Sequence, residues 1–315
     1  MLPLETVTER EAAIRTLVAQ DRAVTIVGER LSVAARHLCP AKGWATGLVV
    51  QTATQYGRDY RAAAGHVLGL GVYPTVTVVV ASSAAERAGL LPGDAIVAID
   101  GQPTDHVAQG AAKATVTDTT RALDAMDVGL RDGLADLTVV RSGARMTMRL
   151  AATPACRVRF EVRAGNDTNA SATAARVQVS SDLIDPDRID TDLAPLMAHE
   201  FAHVVLRHEQ MLAGHWGGLL PGRGRGGAAL RASEIAADRL GVYLLALAGY
   251  RPQDAIAFWT QFGRKTDYGV LSDGTHPGWQ QRVAAIRQEV AEVERQRQAG
   301  EPIDPPADLA TTVSE

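Results

Sequence analysis

Apolar residues recur at helical spacing between residues 5 and 38, where Ile14, Leu17, Val18, Val24, Val27, Leu31 and Leu38 share one stripe. The pattern predicts one long helix or two in series. A turn at Pro40 to Gly43 leads to a short strand-like run, Gly47-Leu-Val-Val-Gln51, and Tyr56 to Gly65, polar and small, reads as a connection. From Val67 to Leu150 the texture becomes β-rich. Gly69-Leu-Gly-Val72 opens it, and Thr75 to Val80 is an unbroken strand. Ser83 to Gly89 is a short helix closed by glycine, Pro92-Gly93 a turn, and Ala95 to Gly101 a strand ending in a turn. Thr119 to Leu130 is helical, and Leu137 to Leu150 is a hairpin around Ser142-Gly143.

Beyond Arg157, strands are predicted at Val158 to Val162 and Ala175 to Ser180, followed by a polar loop, Asp185 to Asp192. Leu193 to Leu212 has the apolar period of one helix; Asp190 or Thr191 can cap it, and Pro195 falls in its first turn. Gly214 to Gly227 holds too many glycines to be regular and reads as a mobile loop, a candidate lid. Helices follow at Ala232 to Ala248, Pro252 to Phe262 and Trp279 to Ala299. The Pro- and Asp-rich tail from Glu301 reads as disordered.

Composition narrows the class without changing this layout. Hydrophobic content of 46% and charged content of 22% describe a chain able to bury a real core. A net charge of -4 with interspersed signs argues against nucleic acid as a partner. The longest apolar run, Leu240 to Tyr250, is too short to cross a bilayer, and Met1-Leu-Pro-Leu-Glu-Thr6 lacks a signal-peptide pattern. Cys39 and Cys156 are either two separate buried thiols or one disulfide, which would imply an oxidising compartment.

The chemistry concentrates in His199-Glu200-Phe201-Ala202-His203. On a helix, residues four apart share a face, so His199 and His203 can hold one ion, with Glu200 about 100° round the axis. Two imidazole ligands beside a carboxylate able to take a proton from water suit a catalytic zinc. Glu234 and Asp238, also four apart, can supply a third ligand and an acceptor for the free N–H of a ligand histidine. Leu206 and Glu209 exclude the longer H-E-x-x-H-x-x-G-x-x-H pattern. His208, five residues past His203, falls on another face and reads as structural or exposed. His276, in a loop before Pro277, stands where an electrophile could reach a catalytic centre.

Two resemblances follow from these words. Ala84-Ala-Glu-Arg-Ala-Gly-Leu-Leu-Pro-Gly-Asp-Ala-Ile-Val-Ala-Ile-Asp-Gly101 is similar to the helix-turn-strand signature of bacterial protease PDZ domains. That resemblance implies that Gly69, Leu70, Gly71 and Val72 hold the terminal carboxylate of a peptide, which adds as a strand to the adjoining one. His199-Glu-Phe-Ala-His-Val-Val-Leu-Arg-His208, then Glu234-x-x-x-Asp238, then Thr275-His-Pro-x-x-x-x-Arg282 resembles the gluzincin family of HtpX and the CAAX-prenyl endopeptidases. More narrowly, it looks like the PDZ-containing envelope members. The likeness spans residues 155 to 295 and implies Zn2+ held by His199, His203 and Glu234, with Glu200 as general base and then acid. It also implies that Asp238 supports His199, His276 donates to the oxyanion and Arg282 braces the site. Asn169-Ala170 matches the substrate-facing edge segment. Ala202 replaces a frequent glycine, and the membrane spans of HtpX and the prenyl proteases are lacking, which argues against membrane-embedded or prenylated substrates.

The fold expected is α+β. A mainly helical zincin metalloprotease domain with a small edge β-sheet (residues 1–58 and 153–299) carries an inserted PDZ-like β domain (64–152), with a tail at 300–315. The expected activity is a zinc-dependent endopeptidase acting on proteins or peptides in the periplasm or cell envelope, with a C-terminal peptide ligand at the PDZ-like domain. The alternative is a non-proteolytic peptide-binding or chaperone-like factor with a latent metal site.

Overall fold

The computed structural model describes residues 6–104, 113–165, 169–213, 224–266 and 277–310. It is α+β, and contacts divide it into two compact units, residues 1–29 with 43–154 and residues 30–42 with 155–315. Much of the first helix and the strand-like run near residue 48 therefore group with the β-rich stretch.

In chain order the first unit holds most of α1 (Val7–Ala34), then β1 (Lys42–Ala45), β2 (Leu48–Gln51), α2 (Arg58–Leu68), β3 (Thr75–Val79), α3 (Ala84–Arg87), β4 (Ala95–Ile99), β5 (Gln102–Pro103), α4 (Thr117–Gly129), β6 (Leu134–Arg141) and β7 (Ala144–Ala151). The expected connection at Tyr56 to Gly65 is instead mostly α2. Its small residues explain this: Ala63 and Ala64 lie buried against Ile14 of α1, ringed by Tyr60, Val67 and Leu70.

The antiparallel sheet runs β2-β3-β4-β6-β7, with β5 beside β4. Its core combines Val76, Ile96, Ile99, Leu137, Val139 and Leu150 with Leu90 and, from α4, Met126. Ser142 and Gly143 both take positive φ, 50° and 83°, the conformation that a two-residue hairpin turn requires. Asp94, after the Pro92-Gly93 turn, is fully buried; Arg141 Nε and Nη2 each donate to its carboxylate at 2.6 Å.

One expectation from the sequence is corrected here. The strand following Gly69-Leu70-Gly71-Val72 is β3, which already pairs with β2 on one side and β4 on the other. β3 thus lies inside the sheet, whose outer strands are β2 and β7. Gly69 closes α2 in the left-handed region (φ 70°), and Leu70 packs on the Ile14 cluster.

After β8 (Thr153–Cys156), where the chain passes into the second unit, come β9 (Arg159–Arg163), β10 (Ala170–Thr173) and β11 (Arg176–Ser180). β11 pairs parallel with β9 and antiparallel with β10, so β10 is an outer strand that begins at Ala170, directly after Asn169. The helices are α5 (Ala194–Val205), α6 (His208–Ala213), α7 (Gly224–Leu247), α8 (Gln253–Thr266), α9 (Trp279–Ala299) and α10 (Ala307–Ala310).

Four differences from the sequence reading stand out. The helix expected over Leu193 to Leu212 breaks at Arg207 (φ 54°), giving α5 and α6. A π-type turn, Ile189–Leu193, leads directly into α5, and no side chain caps that helix. Residues Gly224 to Gly227, counted within the glycine-rich loop, form the start of α7, while 214–223 lie outside the described residues. The tail is folded as far as residue 310: Leu309 is buried, and Asp308 accepts from Arg239 Nη1 at 2.6 Å. Arg239 and Tyr243 of α7 also bind the two oxygens of Glu289 on α9, at 2.5 and 2.8 Å, so the carboxylate ties these helices together.

Cys39 and Cys156 are joined as a disulfide, with Cα atoms 5.6 Å apart and the two residues 117 positions apart in sequence. Closing so long a loop removes much entropy from the unfolded chain. The double variant Cys39→Ser/Cys156→Ser should lose about 2–4 kcal/mol in guanidinium unfolding. An unchanged midpoint and slope would show that the bridge adds nothing to stability.

Candidate metal centre

α5 carries the two histidines because its apolar face is sunk in the unit. Met197, Phe201 and Val205 are buried, and Phe160 of β9 meets Phe201 edge-on, ring centroids 5.6 Å apart. His199 and His203, one turn apart, project together: their Nε2 atoms are 3.2 Å apart. α7 brings Glu234 opposite them, its Oε2 3.4 Å from His199 Nε2 and its Oε1 3.5 Å from His203 Nε2. Gly241, on the same helix, lies against α5: a methyl group at that position would make ordinary van der Waals contact, 3.5 Å, with the backbone carbon of Ala198 and the backbone nitrogen of His199.

The donor set fits a metal ion. A tetrahedral site with metal–nitrogen bonds of about 2.0–2.1 Å has ligand–ligand edges of about 3.3 Å. The two imidazole nitrogens stand at such an edge, 3.2 Å apart, and the two oxygens of Glu234 face them at 3.4 and 3.5 Å; one ligand atom from each of the three residues lies within 4.8 Å of the others.

The surrounding residues fix how those nitrogens can act. Asp238, one turn past Glu234 on α7, has a fully buried side chain, and its Oδ1 lies 3.0 Å from His199 Nδ1. That contact holds the ring proton on Nδ1 and leaves Nε2 free for an ion. Arg282, in the first turn of α9, grips the same carboxylate through Nε and Nη2, both at 2.7 Å. Its guanidinium also stacks 3.9 Å over the ring of Trp259 on α8, which meets His199 edge-on at 4.9 Å.

Trp259 was not singled out by sequence; the one signal for it is the aromatic run Phe258-Trp259-x-x-Phe262. His208, expected on another face, is buried with Nδ1 2.8 Å from His203 Nδ1. The left-handed residue Arg207 ends α5 and redirects the chain, so counting along a single helix misplaced it. His276 lies outside the described residues.

Charge follows from this packing. Burial pulls the His199 imidazolium down, but the hydrogen bonds to Asp238 and Glu234 outweigh it and push the pKa up to about 9. Burial and the neighbouring His199 charge bring His203 down to about 3, and burial brings His208 down to about 4. Burial disfavours the charged forms of Glu234 and Asp238. It is outweighed by His199 at Glu234 and by Arg282 at Asp238, so both carboxyls stay below their usual range. Glu200 is half-buried and shifts the other way: burial raises its carboxyl, although the His199 charge opposes this. The carboxylates of Glu234 and Asp238 are thus held ionised, while Glu200 is made more basic.

Comparison with known families agrees with both halves of this description. Residues 75–114 match the model of the PDZ domain, and residues 226–290 match that of peptidase family M48. The second match contains Glu234, Asp238 and Arg282; the His199–His203 helix precedes it. The chain matches no curated protein. Among the described residues, no helix is long and apolar enough to cross a membrane. A His/His/Glu metal cluster thus stands beside a stretch that matches peptidase family M48 and supplies one of its ligands, in a chain that also matches the PDZ domain.

Proposed function

We propose that this protein is a zinc endopeptidase that cuts within protein or peptide chains. The observation that carries the reading is the convergence of one ligand atom each from His199, His203 and Glu234 within 4.8 Å, beside the more basic Glu200. Zinc held by those three residues would polarise a peptide carbonyl and acidify a water. Glu200, raised by burial, accepts the proton of the attacking water and returns it to the departing amine. Asp238 fixes the tautomer of His199, and Arg282 keeps Asp238 in place. His276 is assigned the oxyanion on the strength of the sequence resemblance alone. The outer strand β10, from Ala170, is suited to take an extended substrate as an added strand, with Asn169 at its entry.

A protein carrying the Cys39–Cys156 bridge suits an oxidising compartment, which supports placement in the periplasm or cell envelope; a part in protein quality control there rests on the sequence resemblance alone.

Metal analysis tests the reading directly. The purified chain should hold one zinc and cleave casein and a peptide blocked at both ends. A strong chelator should abolish both cleavages, and stoichiometric zinc should restore them. Cleavage that survives complete metal removal, or a chain that takes up no divalent metal, excludes this function.

A further inference from the structure

We propose that the backbone N–H groups of Thr46 and Gly47 form a carboxylate-binding site of the PDZ sheet, and that Glu29 of the same chain fills it in competition with the C-terminus of an extended peptide. The proposal rests on the PDZ-type sheet and not on the metal centre.

The geometry begins at Gly47, whose N–H donates to Glu29 Oε1; the N–H of Thr46 binds the same carboxylate. Successive N–H groups aimed at one anion make a backbone nest, the device proteins use to capture a carboxylate. This nest is built into the fold. Gly47 is buried at φ +73°, and a Cβ there would fall 2.1 Å from the Cβ of Ser83, so only glycine fits. Ser83 caps α3, accepting from the N–H of Glu86, which holds the wall of the nest in place.

The nest opens directly onto β2. Among the described residues β2 has a strand partner on one side only, β3, and its outer edge carries none. α4 packs alongside, and its first turn is bonded to the residues after β2: Thr119 Oγ1 lies 2.8 Å from Thr52 Oγ1, and Asp118 accepts from Thr54 Oγ1 at 2.9 Å. An open strand edge with a helix beside it and a nest at its start is the arrangement in which an extended peptide adds antiparallel, its terminal carboxylate seated in the nest. The site assigned from sequence to Gly69-Leu70-Gly71-Val72 thus moves to Thr46-Gly47 and β2.

α1 brings its own acids to both ends of that strand. Asp21 accepts from Gln51 Nε2 at 2.7 Å at the far end, and Glu29 reaches the nest at the near end. The two N–H groups that would receive a peptide's terminus already hold Glu29, so binding requires its displacement.

Fluorescence anisotropy with a labelled hexapeptide pool, randomised over its last three residues, tests this in the full chain. The pool is prepared with free carboxylates and, separately, as C-terminal amides. Glu29→Ala should bind the free-acid pool at least about tenfold more tightly than wild type, the worth of one charge-assisted hydrogen bond. The amide pool should gain nothing. Glu29→Gln keeps the side-chain length and should gain less, in the same direction; it carries the test should the alanine variant not melt cooperatively. Equal binding by wild type and folded variants, or an equal gain for the amide pool, overturns the proposal. Neither readout depends on metal or on hydrolysis.

Discussion

Replacing Glu200 by Gln is expected to lower kcat for peptide hydrolysis by about 10³-fold, within the range that general acid–base catalysis contributes. The substitution changes little else. Glutamine has the same length and keeps an oxygen acceptor, but it cannot take a proton. Glu200 is not one of the three converging ligands, so zinc content should match wild type, as should KM for a blocked peptide. Burial raises its carboxyl toward the pH at which it must work, whereas Glu234 and Asp238 are held in the anionic form. A variant with full zinc that hydrolyses within about threefold of wild type would remove Glu200 from the proton path, since a general base is worth far more than that.

The parts of the site legible in the sequence are those fixed by local geometry. His199 and His203 meet because a helix repeats every 3.6 residues, and Glu234 and Asp238 share a face for the same reason. What escaped reading depends on where the chain bends or on which strands become neighbours. Arg207 adopts a left-handed conformation that a single-helix count does not anticipate, and so His208 arrived against His203 instead of on an outer face.

The PDZ-like sheet teaches the same lesson at longer range. Gly47 to Gln51 and Thr75 to Val80 were both legible as strands, but their pairing is a tertiary fact. Once β2 pairs with β3, it is β2 and not β3 that presents an outer edge on that side of the sheet. Likewise, Ala63 and Ala64 read as connection because small residues carry no amphipathic signal. They become helix only because Ile14 lies against them. The disulfide lay between both cases: the two cysteines were visible, and their separation in space was not.

Arg282→Met should destabilise the metal-free protein by about 3–5 kcal/mol, the cost of leaving a buried charge without its partner. Asp238 has no side-chain exposure, and its two oxygens are both bound by Arg282. Without the guanidinium, that carboxylate keeps only His199 among the contacts described. A loss of packing over Trp259 would also destabilise, so one variant does not identify the cause. Arg282→Met/Asp238→Asn does: it removes the stranded charge while keeping the volume and an acceptor for His199. If the uncompensated carboxylate is responsible, the double variant is more stable in urea than Arg282→Met alone. If packing over Trp259 is responsible, the second substitution recovers nothing. Zinc affinity provides an independent reading, because outer partners of metal ligands are commonly worth 10–100-fold in affinity. Arg282→Met should weaken zinc binding, since Asp238 is then free to turn away from His199 Nδ1. A variant with unchanged unfolding free energy and unchanged zinc affinity would mean that Arg282 neither neutralises Asp238 nor braces the site.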